Sequence, residues 1–432
     1  MLNLPGERTV CCDGISRRSL LRIGAVGFGG LTLADLLRLD ALAGTGATKR
    51  SVINIYLGGG PTHMDTFDLK PDAPREYRGE FSPVATRVPG VEICELMPRL
   101  ASRTDRVAIV RSIVGLSNEH RATQSDSGWS YRSLESMGGR PGLGAVMSRL
   151  DGPVCQTREG TAPTAIDLTG WTRPGFLGQV HAAFRPDGTG RRNLTLDRRM
   201  TAERFVERHE LLTSLDRIRR DIDGGQMMTA MDSFAERAVG IITSGRIARA
   251  LDASEEPAET IERYGARNRD GERFLLARRL IEAGVRSVSL SWGGWDTHRN
   301  NFAAMRKLLP RLDRALSALI EDLDRTGQLD ETLILMSGEF GRTPRINRGA
   351  GRDHWPRAGF VFLAGGGLRT GQVIGATDRK GEQAQDRPVH LQQVFATIYH
   401  QLGIDVERTQ LTDPNGRPQY LLDHRQVIDE LV

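Results

Sequence analysis

Six short runs, rich in β-branched residues and apolar at neighbouring rather than alternate positions, recur along the chain. They are residues 52–57 (VINIYL), 106–111 (RVAIVR), 164–168 (TAIDL), 285–290 (VRSVSL), 332–336 (TLILM) and 359–363 (GFVFL). Runs of this kind predict strands buried on both faces, as in a parallel sheet between helices. Between them the apolar residues recur at helical spacing. The longest such pattern is 299–326, where Phe302, Met305, Leu308, Leu309, Leu312, Leu316, Leu319 and Leu323 fall at helical spacing, and where Pro310 predicts a kink or a break. Residues 202–222, 229–251, 271–284 and 390–402 also read as helices. The alternation predicts an α/β fold, with a mostly parallel central sheet sandwiched by helices. Residues 185–270 depart from it. They are amphipathic, rich in Arg, Glu and Asp, and lack a strand pattern, so they read as a helical insertion packed on one side of the sheet. The arginine pairs there (Arg191 with Arg192, Arg198 with Arg199, Arg219 with Arg220) read as solvated surface.

The N-terminus has another pattern. SRRSLLR at 16–22 precedes the Gly-rich apolar stretch IGAVGFGGLTLADLL, and Ala41, Leu42 and Ala43 offer a small-x-small cleavage site. Paired arginines before a weakly apolar segment predict a twin-arginine export signal over residues 1–43, with 44–432 as the folded domain in the periplasm or at the cell surface. The alternative is a basic amphipathic helix that stays on the protein, which Asp35, Arg38 and Asp40 favour. Those charges also leave too short an apolar run to span a bilayer, so no stable membrane span is expected.

The segments just beyond the strand patterns are chemically unusual. GGGPTHMDTFD succeeds VINIYL, SIVGLSNEHRATQSDSG succeeds RVAIVR, and SWGGWDTH succeeds VRSVSL. SGEFGRTPRIN and then GAGRDHWP come after TLILM. In open α/β sheets ligands bind outside the carboxyl ends of the strands, so these clusters are placed to converge on one edge. They supply His63, Asp65, Asp296, His298, Glu339, Asp353 and His354. Imidazole and carboxylate without thiolate suit zinc or manganese better than magnesium, calcium or a cysteine-type structural zinc. So many donors would serve one or two divalent ions, and paired ions are a common solution for phosphoryl transfer. Singly, each residue has a plainer reading: Asp65 as a turn or cap residue, Asp296 and His298 as an Asx turn, Glu339 with Arg342 as an ion pair, Asp353 and His354 as a turn cap. For catalysis the candidates are Ser117, His120 and Arg342. Ser117 fits a nucleophile at a helix N-terminus, with Thr123 and Ser125 as alternatives, and Arg342 would stabilise an anionic transition state. His181, His209, His390, His400 and His424 read as structural or surface residues. Gly365, Gly366 and Gly367 read as a tight turn, since the Lys-Ser/Thr of a phosphate loop is missing.

Composition narrows the partners. Lys and Arg total 59 against 54 Asp and Glu, a net charge of only +5, and no basic-aromatic interleaving of the base-stacking kind is present. Nucleic acid is therefore not an expected partner, and a small-molecule or glycan ester is. Cys11 and Cys12 fall in the leader; Cys94 and Cys155 either pair in an oxidising compartment or stay free.

Together the twin-arginine leader, GGGPTHMDTFD, GGWDTH, GEFGRTPRIN, GRDHWP, GGGLRTGQVIGATD and a late LGID…GRP resemble the DUF1501 family of exported bacterial proteins, over roughly residues 50–430. That family is similar to a branch of the alkaline phosphatase/sulfatase-like superfamily. The resemblance implies a mostly parallel sheet between helices, a bimetal site at strand ends and metal-dependent hydrolysis of phosphate or sulfate esters. It is partial. Glycines stand where the superfamily has a metal-binding Asp after the first strand, and Glu339 with Phe340 stands where it has an Asp-His pair. Asp296 with His298 resembles the Asp…His pair of the other metal at shorter spacing, and His354 resembles the late histidine ligand. The sulfatase C/S-x-P-x-R signature is absent, and Asn118…His120 only loosely resembles the segment behind the phosphodiesterase-type threonine. These departures keep a second expectation open: a non-catalytic exported binding protein for sulfated or phosphorylated glycans on the same fold.

Overall fold

The computed structural model describes residues 50–157, 160–187 and 245–432, with a few isolated positions between 201 and 242. The expected export signal and most of the expected insertion at 185–270 lie outside the described residues. So do most of the expected helix at 202–222 and most of that at 229–251, of which Arg246–Ala250 is helical.

The apolar runs become the strands of one seven-stranded sheet. They are β1 (Ser51–Tyr56), β2 (Val107–Val110), β3 (Ala165–Asp167), β4 (Ser287–Ser291), β5 (Thr332–Ser337) and β6 (Val361–Gly365). A short β7 (Gln372–Ile374) completes it from a stretch with no strand pattern. The spatial order is β7-β2-β6-β5-β1-β4-β3. β1 lies between β5 and β4 and runs parallel to both, in registers that pair Ser51 with Thr332 and Val52 with Ser287. β3 is parallel to β4 and β7 to β2.

β6 is the exception: it runs antiparallel to both β5 and β2. Its apolar pattern is that of a parallel strand, because the pattern reports burial and not direction. Direction is set by the connection. Residues 338–360 contain no helix, and a parallel return needs a crossover, usually helical. The reversal puts the amino end of β6 at the same sheet edge as the carboxyl ends of β1, β4 and β5.

Four helices cover the sheet: α1 (Leu143–Asp151), α2 (Arg269–Glu282), α3 (Asn301–Arg325) and α4 (Leu391–Gln401). Ile53 and Ile55 of β1 pack in one core with Phe274 and Leu280 of α2 and Leu312, Leu316 and Leu319 of α3. Val52 packs on the other face with Val146 of α1 and Phe395 and Ile398 of α4. This gives three layers, helices on both faces of a mostly parallel sheet. α3 runs as one helix through Pro310, where a kink or break is expected from sequence. Pro310 is exposed while Leu309 and Leu312 are buried, so the missing N–H bond falls on the solvent face and the apolar face stays seated. Asn268 caps α2 by accepting from the N–H groups of Asp270 and Gly271, and His390 caps α4 in a capping box with Gln393.

Gly365, Gly366 and Gly367 all have positive φ, and the Leu368 N–H bonds the Gly365 carbonyl at 3.1 Å, the tight turn expected. Cys94 and Cys155 are unpaired thiols, and burial pushes that of Cys94 up to about 12. No helix among the described residues is long and apolar enough to cross a membrane.

Candidate metal centre

The segment after β1 needs its glycines. Gly59 (φ +111°) and Gly60 (φ +75°) lie where a Cβ would come within 2.5 Å of the Asp296 backbone nitrogen and of the Phe340 ring, respectively. Only glycine allows both the backbone conformation and the contact. The close approach is used. The Gly59 and Gly60 N–H groups donate to Glu339 at 3.0 and 3.3 Å. Arg342 binds the same two residues through their carbonyls, with Nε 3.0 Å from that of Gly60 and Nη2 on that of Gly59. The ends of β1, β4 and β5 are thereby tied together. Gly341 and Arg342 also pair antiparallel with Trp355 and His354, which draws His354 into the same edge.

Three imidazoles and a carboxylate meet there. His354 Nε2 lies 2.9 Å from His120 Nε2 and 3.0 Å from His298 Nε2. Asp296 Oδ1 is 3.1 Å from His298 Nε2 and 3.4 Å from His354 Nε2, and Asp296 Oδ2 is 3.8 Å from His120 Nε2. Each ring is held from behind through its other nitrogen. His120 Nδ1 is 3.2 Å from Glu339 Oε1, His298 Nδ1 is 2.6 Å from Asp353 Oδ1, and His354 Nδ1 is 3.1 Å from Asn118 Oδ1. Phe340, fully buried, packs against the His120 and His354 rings. The other side is open, with the side chains of His120, His298 and Asp296 46%, 44% and 50% exposed.

The outer partners decide the protonation pattern. Carboxylates and an amide oxygen accept, so all three Nδ1 atoms carry the proton and all three Nε2 atoms turn lone pairs inward. Three lone pairs beside a carboxylate repel one another unless a cation sits among them. Histidine backed by a carboxylate is the usual arrangement of metal-ligating imidazole. Electrostatics agree. Burial lowers the His354 pKa, only partly offset by the hydrogen bond with Asp296, so the ring is neutral as a ligand must be. Burial pushes Asp296 up, but the hydrogen bond and charge of Arg342 outweigh it and hold the carboxyl below its ordinary range. The hydrogen bond from His298 does the same for Asp353. Burial raises Glu339 against the hydrogen bonds it accepts, from Gly59, Tyr56 and His120 among others.

The expected site residues thus separate. Asp296, His298 and His354 come together at their functional atoms, and His120, expected to do catalytic work, adds its Nε2 to the same donor set. His120, Asp296 and His354 have ligand atoms mutually within 4.8 Å. Glu339 and Asp353 stand one layer back, as partners of His120 and His298. Arg342, expected to meet a transition state, is fully buried, and its donors go to Asp296 and to the carbonyls of Gly59, Gly60 and Arg352. It orients Asp296.

His63 and Asp65 are not brought to this group. His63 is buried with Nε2 on the Gly381 carbonyl at 2.8 Å. Asp65 is fully buried and held on both oxygens, Oδ2 accepting from Arg352 at 2.7 Å, Asn301 at 2.8 Å and Thr62 at 2.8 Å, and Oδ1 from Arg352 at 3.0 Å. Among the described residues no second group of donors is spaced to hold an ion.

Ser117 is half-buried with its backbone clasped by the Gln124 amide, 2.7 Å to its N–H and 3.0 Å to its carbonyl. It lines a cavity beside His120. Ser125 is fully buried under the Asn54 amide, and Thr123 opens the short helix Thr123–Ser127. Asn118, Tyr56 and Arg352 also serve the site, and sequence reasoning does not assign them to it. Of the three, only Asn118 carries a visible signal, its place two residues before His120.

Asp353→Asn keeps the size of the side chain but weakens the grip on His298. It is expected to lower affinity for a first-row divalent ion by roughly 10–100-fold with the fold unchanged. Competition with a chromophoric chelator measures this, and unchanged affinity would show that Asp353 does not support the ligand.

A family described as "Protein of unknown function (DUF1501)" matches residues 49–432. Comparison with curated protein sequences found no match. Among solved structures the chain is similar to Ps i-CgsB, at 11% identity and a TM-score of 0.38 over 83% of this chain and 73% of that one. It is similar to the PsFucS1 sulfatase from Pseudoalteromonas sp., at 12% identity and 0.36 over 87% and 72%. It is also similar to the lipoteichoic acid synthase LtaP from Listeria monocytogenes, at 10% identity and 0.35 over 83% and 73%.

Proposed function

The chain belongs to the DUF1501 family, and on that premise we propose that it is an exported, metal-dependent hydrolase of phosphate or sulfate esters. One observation carries the reading: the inward lone pairs of His120, His298 and His354 beside the Asp296 carboxylate, each ring fixed from behind. These four residues would hold a single divalent ion, and three nitrogens with one oxygen suit zinc before manganese. Such an ion polarises an ester oxygen and stabilises charge developing on it.

The chain's own groups set the stage. Glu339 and Asp353 keep the protons of His120 and His298 on Nδ1, and Arg342 keeps Asp296 ionised and aimed. The open face of the group leaves room for an ester, and Ser117 supplies a hydroxyl at the cavity beside His120. The second reading, a non-catalytic binder of sulfated or phosphorylated glycans, is favoured by one fact. Among the described residues no imidazole or carboxylate hydrogen-bonds the Ser117 hydroxyl to activate it.

The test is elemental analysis of the purified mature protein, followed by a panel of aryl and sugar sulfates and phosphates. One equivalent of transition metal with turnover of at least one ester class is expected. Metal without any turnover would support the binder, and less than stoichiometric metal with no turnover would end the hydrolase reading. Fusion of residues 1–43 to a reporter exported only when folded tests the leader: export that survives Arg17→Lys/Arg18→Lys would refute the twin-arginine route.

A further inference from the structure

The cavity beside His120 has a volume of ≈ 530 Å³, and Asn118 and His120, which belong to the metal centre, form part of its wall. Arg121, Tyr131 and Arg132 form another part. The Arg121 guanidinium carbon lies 4.5 Å from the centroid of the Tyr131 ring, and that of Arg173 lies 5.6 Å from it. Arginines stacked on an aromatic ring keep their planes fixed and their N–H edges free to bind.

Arg121, Arg132 and Arg173 are exposed, and among the described residues none of them forms an ion pair. Some other arginines are neutralised by carboxylates. Arg278 and Arg279 share Glu256, and Arg387 pairs with Glu430. Two carboxylates reach this cavity. Glu119 is committed to the backbone, accepting the Tyr131 N–H at 2.6 Å, and Glu135 is exposed at the wall. Neither carboxylate forms an ion pair with Arg121 or Arg132, so the N–H edges of these two guanidiniums are left to take an anion from outside.

We propose that this cavity is a subsite for a second anionic group of the substrate, held by Arg121 and Arg132 while an ester group lies at the metal centre. The preferred ligand is then a small polyanionic ester and not a singly charged one. The second group is a sulfate, phosphate or carboxylate, since a guanidinium fork accepts all three. The inference rests on the hydrolase reading for what occupies the metal centre, but the subsite is tested without turnover.

Metal-loaded full-length mature protein and its Arg121→Gln/Arg132→Gln variant are titrated calorimetrically. The probes are a disulfated disaccharide, a disaccharide carrying one sulfate and one phosphate, one carrying one sulfate and one carboxylate, and the monosulfated parent. The wild type should bind at least one dianionic probe about 10-fold or more tighter than the parent, corresponding to one charge-assisted contact at 1.4 kcal/mol per decade. Which probe leads identifies the second group. The variant should lose that preference and keep its affinity for the parent within about twofold. Glu135→Gln, which removes the free carboxylate, should strengthen dianion binding, and it serves as the second variant if the first folds poorly by circular dichroism.

In turnover, the Arg121→Gln/Arg132→Gln variant should hydrolyse 4-nitrophenyl sulfate or phosphate as the wild type does. Its KM for the dianionic ester should rise with kcat little changed. No turnover in the wild type would count against the hydrolase and leave the binding result to decide the subsite. Equal affinity of the wild type for the dianionic probes and the monosulfated parent, or an equal loss for both in the variant, would overturn the subsite.

Discussion

His354→Ala is expected to strip the protein of its metal and of any ester hydrolysis. His354 Nε2 is within 3.0 Å of both other imidazole nitrogens and 3.4 Å from Asp296, so its loss opens the donor set at its middle. Losing an outer partner alone costs roughly 10–100-fold in metal affinity, and losing the ligand itself should exceed that, about 100-fold or more. His354 is a partly exposed residue of a two-residue ribbon, so the fold should survive. Metal content by mass spectrometry, chelator competition and unfolding midpoints of the metal-free proteins measure the three outcomes. A variant that keeps stoichiometric metal would remove His354 from the centre and refute the donor set.

Asp65→Ala should do the reverse, destabilising the metal-free fold strongly. Arg352 and Asp65 are a fully buried ion pair, and Arg352 also donates to the carbonyls of Tyr77, Thr343 and Pro344. Removing the carboxylate leaves a buried guanidinium without its counter-charge, at a cost of about 3–5 kcal/mol. Urea unfolding of chelator-treated protein reads this out. Because the Asp65 carboxylate is enclosed by Arg352, Asn301 and Thr62, the metal affinity of the variant's folded fraction should change far less than that of His354→Ala. A variant of normal stability that no longer binds metal would make Asp65 a ligand after all.

These two residues mark the boundary between what is legible along the chain and what is not. Asp65 and Asp296 look alike in sequence, each in a Gly-rich segment near a histidine and after a strand. What separates them is a partner 287 residues away in one case and 46 in the other. Arg352 neutralises Asp65 by enclosing it, while Arg342 leaves one side of Asp296 open. Both arginines lie in polar stretches that read as loop. Composition cannot say which carboxylate a buried arginine will take, because that depends on where two distant loops cross.

His120 shows the same limit from the other side. It is legible as an unusual residue after a strand, but its role depends on which atoms its ring faces. Glu339 fixes Nδ1 and thereby turns Nε2 toward His354. Phe340, where a further ligand would stand by family resemblance, supplies a packing surface for two of the rings instead.

The layers of the fold and the edge that carries the chemistry are written in the linear chain. Apolar runs of strand length and helical stripes specify a buried sheet between helices, because burial of these residues is the dominant local preference and needs no knowledge of partners. Polar clusters after those runs specify that chemistry gathers at the strand ends. Three features arise only when the chain is folded. One is the antiparallel direction of β6, which brings His354 to the site. Another is the division of the charged candidates into inward-facing donors, outer partners and a buried ion pair. The third is the gathering of unpaired arginines beside His120. Each of these depends on contacts between segments far apart in the chain, where the energy of a charge is set by its neighbours and not by its own position in the sequence.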